Sequence, residues 1–132
     1  GIRLVVAHPE VPAGAYTERF LATLMASSED NTEFISTIRE NIVSLEGSVR
    51  LVVSKVLLGE ADAGFVYLTD FQNQKGIYLV DIPEGSKIRT EYWIALTQNV
   101  SNPSLGDKFI QFLKSEEGQL IMESRGFGRL IE

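Results

Sequence analysis

Residues 47–67 read GSVRLVVSKVLLGEADAGFVY, and this stretch decides the fold class. Its apolar residues first recur at helical spacing, at positions 49, 52, 53, 56 and 57. Ser48 is a typical helix N-cap residue, and Gly59 is a typical residue just beyond a helix end. The pattern therefore predicts a helix over about residues 48–58. The short apolar run at residues 63–67 predicts a buried strand that follows this helix.

The residues before this stretch show the same order of strand and helix. A β-branched run at residues 2–7 predicts a buried strand, and the turn at residues 11–14 leads into a helix that ends in a polar loop at residues 27–31. A short helix from Thr32 and an extended segment at residues 41–45 are expected next. Strands joined by helical crossovers form parallel sheets, so we expect an α/β fold, a mainly parallel sheet with helices on both faces.

Two more strands and two more helices are expected in the second half of the chain. The strands are predicted at residues 77–82, where Pro83 ends the run, and at residues 90–96. The helices are predicted at residues 102–114 and at about residues 116–124.

The composition excludes several classes of function. Twelve basic residues against 18 acidic ones give a formal charge of -6, the wrong sign for general attraction to nucleic acid. The chain has no cysteine and a single histidine, so thiolate metal sites and histidine clusters are excluded. We therefore expect no nucleic-acid partner, no metal ligands and no cofactor.

The candidate binding residues lie at junctions between strands and helices. Ligands of open α/β sheets bind at the carboxyl ends of the strands, where helix N-termini point free N–H groups at the crevice. Small residues at two junctions would let a ligand approach the backbone. The residues concerned are Pro12, Ala13 and Gly14 at the first junction, and Gly47, Ser48 and Val49 at the second. Each junction also has a plain alternative, an ordinary turn and helix start.

Tyr67 is a third candidate, because it follows an apolar run and its hydroxyl would project into the same crevice. Its alternative is a tyrosine with its ring in the core and its hydroxyl in water. Neutral N–H and O–H donors suit a small, fully ionised oxyanion, which only accepts hydrogen bonds. His8 and Glu10 suggest a general base, but no nucleophile or orienting group accompanies them, so a structural or surface role is favoured over an enzyme.

Several motifs together resemble one family. They are HPE at residues 8–10, VPAG at residues 11–14 with Tyr16 two residues on, GEADAGFVY at residues 59–67, and FLKS at residues 112–115 followed by Gly126 and Phe127. The chain resembles the molybdate-binding solute receptors of ABC transporters, type II periplasmic binding proteins whose two lobes close on molybdate or tungstate. The resemblance implies that Ala13 and Val49 donate main-chain N–H groups and that Tyr67 donates its hydroxyl. The chain departs from the family pattern at His8, at Trp93 and in a longer connection over residues 25–40.

The resemblance also implies an incomplete receptor. Residues 1–89 correspond to the second, ligand-binding lobe, and residues 90–132 to a returning strand and C-terminal helices that pack partly on a first lobe missing before Gly1. Without that lobe, the returning segment would pack on this lobe or exchange between two copies as a swapped homodimer. The implied location is periplasmic or extracytoplasmic, and the implied partner is an ABC transporter permease. The alternative is a ligand-sensing domain of a transcription regulator with the same fold.

Overall fold

The computed structural model describes residues 1–28, 31–72, 74–82 and 84–130. Glu29 and Asp30 of the predicted polar loop lie outside these ranges, as does Pro83, which was expected to end a strand. The chain divides into two compact units, Gly1–Arg89 and Thr90–Glu132. No helix in the described ranges has both the length and the apolar character needed to cross a membrane.

The first unit is built on a parallel sheet. In the described residues, the sheet contains β1 (Leu4–Ala7), β2 (Ile42–Glu46) and β3 (Ala63–Gly64), in the order β2-β1-β3. Both pairings are parallel, and Ala7 at the end of β1 lies opposite Glu46 at the end of β2. All four residues of β1 are buried, as expected for a central strand covered on both faces. The predicted α/β class with a parallel sheet is confirmed.

Four helices accompany this sheet in the described part of the first unit. They are α1 (Pro12–Ser27), α2 (Asn31–Glu40), α3 (Val49–Leu57) and α4 (Leu68–Phe71), and a 3-10 turn follows at Glu84–Ser86. The predicted signals for α3 are confirmed, because the Ser48 side chain accepts from the amide of Leu51 and Gly59 adopts a left-handed φ of 72°.

Two apolar clusters pack this unit. The first, here the α3 cluster, joins the sheet to α1 and α3, and its buried members are Val5, Ala7, Ala13, Val52 and Ala61. The second, here the α2 cluster, joins α1 and α2, and its buried members are Phe20, Leu21 and Ile35. A bidentate ion pair from Arg39 to Glu18, at 2.6 and 3.0 Å, also links α2 to α1.

Three strand predictions need correction. The strand expected at residues 63–67 is reduced to β3, because Phe65 turns into the α2 cluster, where its ring lies 5.5 Å from that of Phe20. The described residues of the strands expected at 77–82 and 90–96 form no ladder, and Tyr78 and Trp93 are 94% and 90% exposed. A β-rich composition favours extended backbone, but a strand also needs a neighbour to bond with, and none lies beside these segments in the described residues.

The second unit contains the two helices predicted for it, α5 (Pro103–Lys114) and α6 (Glu116–Ser124). The Asn102 side chain caps α5 by accepting from the amide of Leu105 at 3.0 Å, and Gly126 follows α6 with a φ of 86°. Apolar side chains on both helices are exposed within the described chain, at Leu105, Phe109, Phe112, Leu120 and Ile121.

Candidate functional site

Three helices of the first unit begin just beyond the carboxyl ends of its strands. β1 ends at Ala7 and α1 begins at Pro12, β2 ends at Glu46 and α3 begins at Val49, and β3 ends at Gly64 and α4 begins at Leu68. Because parallel strands end at one edge of a sheet, these helix starts share that edge, where α/β proteins bind ligands.

The first junction leaves main-chain donors at the start of α1 without a side-chain cap. Val11 occupies the N-cap position in extended conformation and has no side-chain oxygen, and Pro12 follows at the first helical position. The carbonyl oxygen of Val11 accepts from Ala15, so the helix has no acceptor of its own for the N–H groups of Ala13 and Gly14. The buried Ala13 belongs to the α3 cluster.

Backbone packing explains why position 14 is glycine, and the sequence pattern did not predict this contact. A Cβ atom at this position would overlap the carbonyl oxygen of His8 and lie 2.5 Å from that of Ala7. The absence of a side chain therefore lets the first turn of α1 pack directly on the end of β1. The sequence pattern relates Gly14 to close approach by a ligand, whereas the observed close approach is by the protein backbone.

At the second junction, Ser48 caps α3 in extended conformation, and its hydroxyl accepts from Leu51 at 3.4 Å. Val49 is the first helical residue and packs partly buried against the α3 cluster. No atom lies within 4 Å of a Cβ built on Gly47, and its φ lies outside the left-handed region. Neither packing nor backbone conformation in the described residues requires glycine there.

Tyr67 lies beyond the carboxyl end of β3 and is not part of that strand. It is the N-cap residue of α4, and its partly buried ring packs on the α3 cluster. Its ring also meets that of Tyr16 on α1, with centroids 6.2 Å apart. Ala13, Val49 and Tyr67 therefore all pack in or against one cluster, so the structure brings together the three residues chosen from sequence.

A partly buried charged network at the end of β2 is a feature that the sequence pattern did not predict. The carboxylate of Glu46, the last residue of β2, lies 2.8 Å from Nζ of Lys55 on α3 and accepts from the hydroxyl of Ser44. Lys55 in turn donates to Ser44 Oγ at 2.9 Å. These hydrogen bonds, that of Lys55 first, lower the pKa of Glu46 below its ordinary value. The available signal was the polar pair Ser44 and Glu46 on one face of an otherwise apolar strand.

His8 shapes the loop between β1 and α1. Its carbonyl oxygen accepts from the amide of Val11, and its ring Nδ1 lies 3.3 Å from the amide nitrogen of Glu10. The same nitrogen lies 3.7 Å from the Glu10 carboxylate. These contacts hold the turn together, in line with a structural role.

A polar cleft lies on another side of α3. It encloses about 330 Å³ between α3 and the segment that includes α4. Its lining residues are Arg50, Val53, Ser54, Leu57, Thr69, Asp70, Gln72 and Gln74. Ala13, Val49 and Tyr67 do not line it, so it is separate from the predicted site.

Comparison with known proteins identifies the family. The family model for bacterial extracellular solute-binding proteins matches residues 1–128. The chain is 34% identical over 130 residues to the molybdate-binding protein ModA of Mycobacterium tuberculosis (strain ATCC 25618 / H37Rv), and equally to that of Mycobacterium bovis (strain ATCC BAA-935 / AF2122/97). These alignments cover 98% of this chain and 45% of each relative.

A third relative, YvgL of Bacillus subtilis (strain 168), is assigned as an ABC transporter substrate-binding lipoprotein. It is 28% identical over 127 residues, covering 95% of this chain and 45% of YvgL. The chain thus spans about half the length of the curated relatives it matches, whose names describe solute binding and no reaction. No solved structure gave a significant match. The family match over nearly the whole chain shows that this protein belongs to the bacterial extracellular solute-binding proteins.

Proposed function

We propose that residues 1–132 form the second lobe and the returning segment of an extracytoplasmic receptor that delivers molybdate or tungstate to an ABC transporter. The observation that carries this proposal is the convergence of Ala13, Val49 and Tyr67 on one cluster at the carboxyl edge of the sheet. The similarity to two molybdate-binding proteins supports the same ligand class.

The chemistry of the donors suits this ligand. A molybdate or tungstate ion is a tetrahedral dianion whose four oxygens only accept hydrogen bonds. In the proposed site, Ala13 and Val49 donate N–H groups from two helix starts, and the helix dipoles favour negative charge there. Tyr67 donates a hydrogen bond to the anion from a third side, through its hydroxyl group. The two junctions are shaped by Pro12, Gly14, Gly47 and Ser48. No general acid or base is needed, so we propose binding without catalysis.

The same chemistry sets the expected selectivity. Molybdate and tungstate are nearly equal in size and present the same acceptors, so this donor set does not separate them. Sulfate is smaller, and rigid main-chain donors placed for the larger ion leave its oxygens too distant for good hydrogen bonds. We therefore expect molybdate and tungstate to bind with similar affinity and sulfate to bind far more weakly.

The division of the chain supports the proposed lobe organisation. Residues 1–89 would hold the anion, and residues 90–132 would return to the other lobe, which would supply the remaining donors. The exposed apolar residues of α5 and α6, among them Leu105 and Phe109, are suited to burial against that lobe. In an isolated chain the same surfaces favour exchange between two copies. The closed receptor would present its surface to the permease.

Calorimetric titration of the complete receptor that contains these residues tests the proposal. Molybdate and tungstate should each bind at one site, with sulfate weaker by at least about a hundredfold. The 132-residue chain alone should bind either ion far more weakly, because it lacks the donors of the other lobe. A receptor that binds neither molybdate nor tungstate would refute the proposed ligand class.

A further inference from the structure

The carboxylate of Glu46 is buried at the end of β2, near the proposed anion site. A buried carboxylate is unexpected beside a site that binds an anion. The Glu46 side chain is 10% exposed, and Val49, one of the proposed anion donors, is three residues further along. Consecutive Cα atoms are 3.8 Å apart, so the two backbone positions are at most ~11 Å apart. A negative charge this close would repel a dianion unless it is compensated.

The contacts of Glu46 connect the two strand ends that precede α1 and α3. Its main-chain oxygen accepts from the amide of His8 at 2.8 Å, which joins the end of β2 to the loop before α1. Its carboxylate is held by Ser44 on the same strand and by Lys55 on α3. Glu46 therefore joins the end of β2 to the loop before α1 and, through Lys55, to the last turn of α3.

Lys55 compensates this charge inside the network. Its ammonium group is 2.8 Å from the carboxylate and 2.9 Å from Ser44 Oγ, and its side chain is 32% exposed. A partly buried ion pair is neutral at a distance, but removal of either partner leaves the other charge uncompensated. The network thus holds α3 against β2 without adding net charge to the anion site.

We propose that Glu46 and Lys55 form a charge-compensating pair beside the oxyanion site, in which Lys55 cancels the charge of the carboxylate that ties the end of β2 to α3. This inference rests on the proposed function, because it assigns a role next to the proposed site. It makes a distinctive prediction, since loss of the cation and loss of the carboxylate have opposite effects on anion affinity. A purely structural role would instead weaken binding in both cases.

The test uses the complete receptor with Glu46→Gln, Lys55→Met and the double variant, each titrated with molybdate and followed by thermal unfolding. Lys55→Met leaves the carboxylate uncompensated, and the Kd should rise by about tenfold or more. Glu46→Gln keeps a group that can accept from Lys55 and leaves one positive charge, so the Kd should fall by about twofold or more. The double variant restores neutrality and should bind within about threefold of wild type.

Glu18→Gln and Arg39→Met serve as matched controls, because this ion pair is half-exposed and joins α1 to α2 instead of the proposed site. Each should change the Kd by less than about twofold. If Lys55→Met does not fold, the sign of the Glu46→Gln effect decides alone. The inference is overturned if wild type binds molybdate and both single variants weaken binding, or if neither alters it. A wild-type receptor that binds no tetrahedral anion instead overturns the proposed function, and the inference with it.

Discussion

The ring of Tyr67 packs edge-on against the ring of Tyr16, with centroids 6.2 Å apart and planes inclined at 71°. Tyr16 lies near the start of α1, and Tyr67 is the N-cap residue of α4, so this contact joins two helix starts at the carboxyl edge of the sheet. Edge-to-face contacts between aromatic rings are favourable. The Tyr67 ring therefore has a packing role that can be separated from the proposed role of its hydroxyl.

Tyr67→Phe separates these two roles. The ring stays on the α3 cluster, so the protein should remain folded, and thermal unfolding measures any change in stability separately from the change in affinity. The lost hydroxyl removes one hydrogen bond to a charged ligand, worth about 1.5–3 kcal/mol, so molybdate affinity should fall by roughly ten- to a hundredfold. Calorimetry and thermal unfolding of the complete receptor measure both effects.

The matched control for this variant is Tyr92→Phe. Tyr92 is 67% exposed, and its ring contacts Phe127 in the second unit. It lies outside the proposed donor set, so molybdate affinity should be unchanged. Equal affinities of Tyr67→Phe and wild type would remove Tyr67 from the site.

Val49→Pro removes a single main-chain donor while retaining the helix. Val49 is the first residue of α3, a position where proline is tolerated, and Ser48 before it is already extended, with φ -159° and ψ 154°. The fold should persist by circular dichroism. Molybdate affinity should fall by about tenfold or more, because the N–H group of Val49 is lost.

Glu116→Pro is a control of the same kind, because Glu116 is the first residue of α6 and follows an extended N-cap residue, Ser115. It also loses an exposed ion pair with Arg129, which contributes little to stability. This variant should bind molybdate as wild type does. If Val49→Pro folds and binds equally well, the Val49 amide is not a donor.

Two glycine substitutions should differ strongly in stability. Gly14→Ala places a methyl group against the carbonyl oxygens of His8 and Ala7, so it should destabilise the protein by about 3 kcal/mol or more. Gly47→Ala meets open space at an unstrained φ, so its stability should stay within about 1 kcal/mol of wild type. Urea unfolding measures the difference, and equal midpoints would contradict the close contact at Gly14.

Acid should weaken the link between Arg3 and Asp62. The side chain and the amide of Arg3 both donate to the Asp62 carboxylate, which lowers its pKa from 3.8 to about 2. Because the pKa is lower in the folded state, this contribution to stability is present above about pH 4 and is lost as the pH falls towards 2. Both groups are half-exposed, so the effect should be small.

Asp62→Asn lacks this titration, so its melting temperature should fall less than that of wild type between about pH 4 and pH 2. Glu46, whose pKa is also lowered, is present in both proteins, so the comparison isolates Asp62. Parallel curves for the two proteins over this interval would show that the ion pair adds nothing.

Local signals predicted the helices well. The limits of α3 follow from Ser48 and Gly59, and the start of α5 follows from Asn102, because a cap acts within one turn of the residue that forms it. Local signals failed for two segments that were predicted as strands, because these segments form no ladder. The runs around Tyr78 and Trp93 have strand composition, but pairing depends on a neighbour that a local pattern cannot reveal.

The arrangement of the candidate site was predictable in part. Parallel strands end at one edge, so the grouping of Ala13, Val49 and Tyr67 follows from topology once the sheet is expected. The bond from Lys55 to Glu46 joins a helix to a strand and depends on the packing of α3, which sequence spacing does not specify. The reason for glycine at position 14 likewise depends on backbone packing.

The most direct test of the account follows the amide signals of Ala13 and Val49 by ¹⁵N–¹H NMR in the complete receptor. Saturating molybdate or tungstate should shift both signals strongly, because each N–H group gains an anionic acceptor, and sulfate at the same concentration should leave them in place. If calorimetry shows that molybdate binds while both amide signals remain unchanged, the proposed donors are wrong.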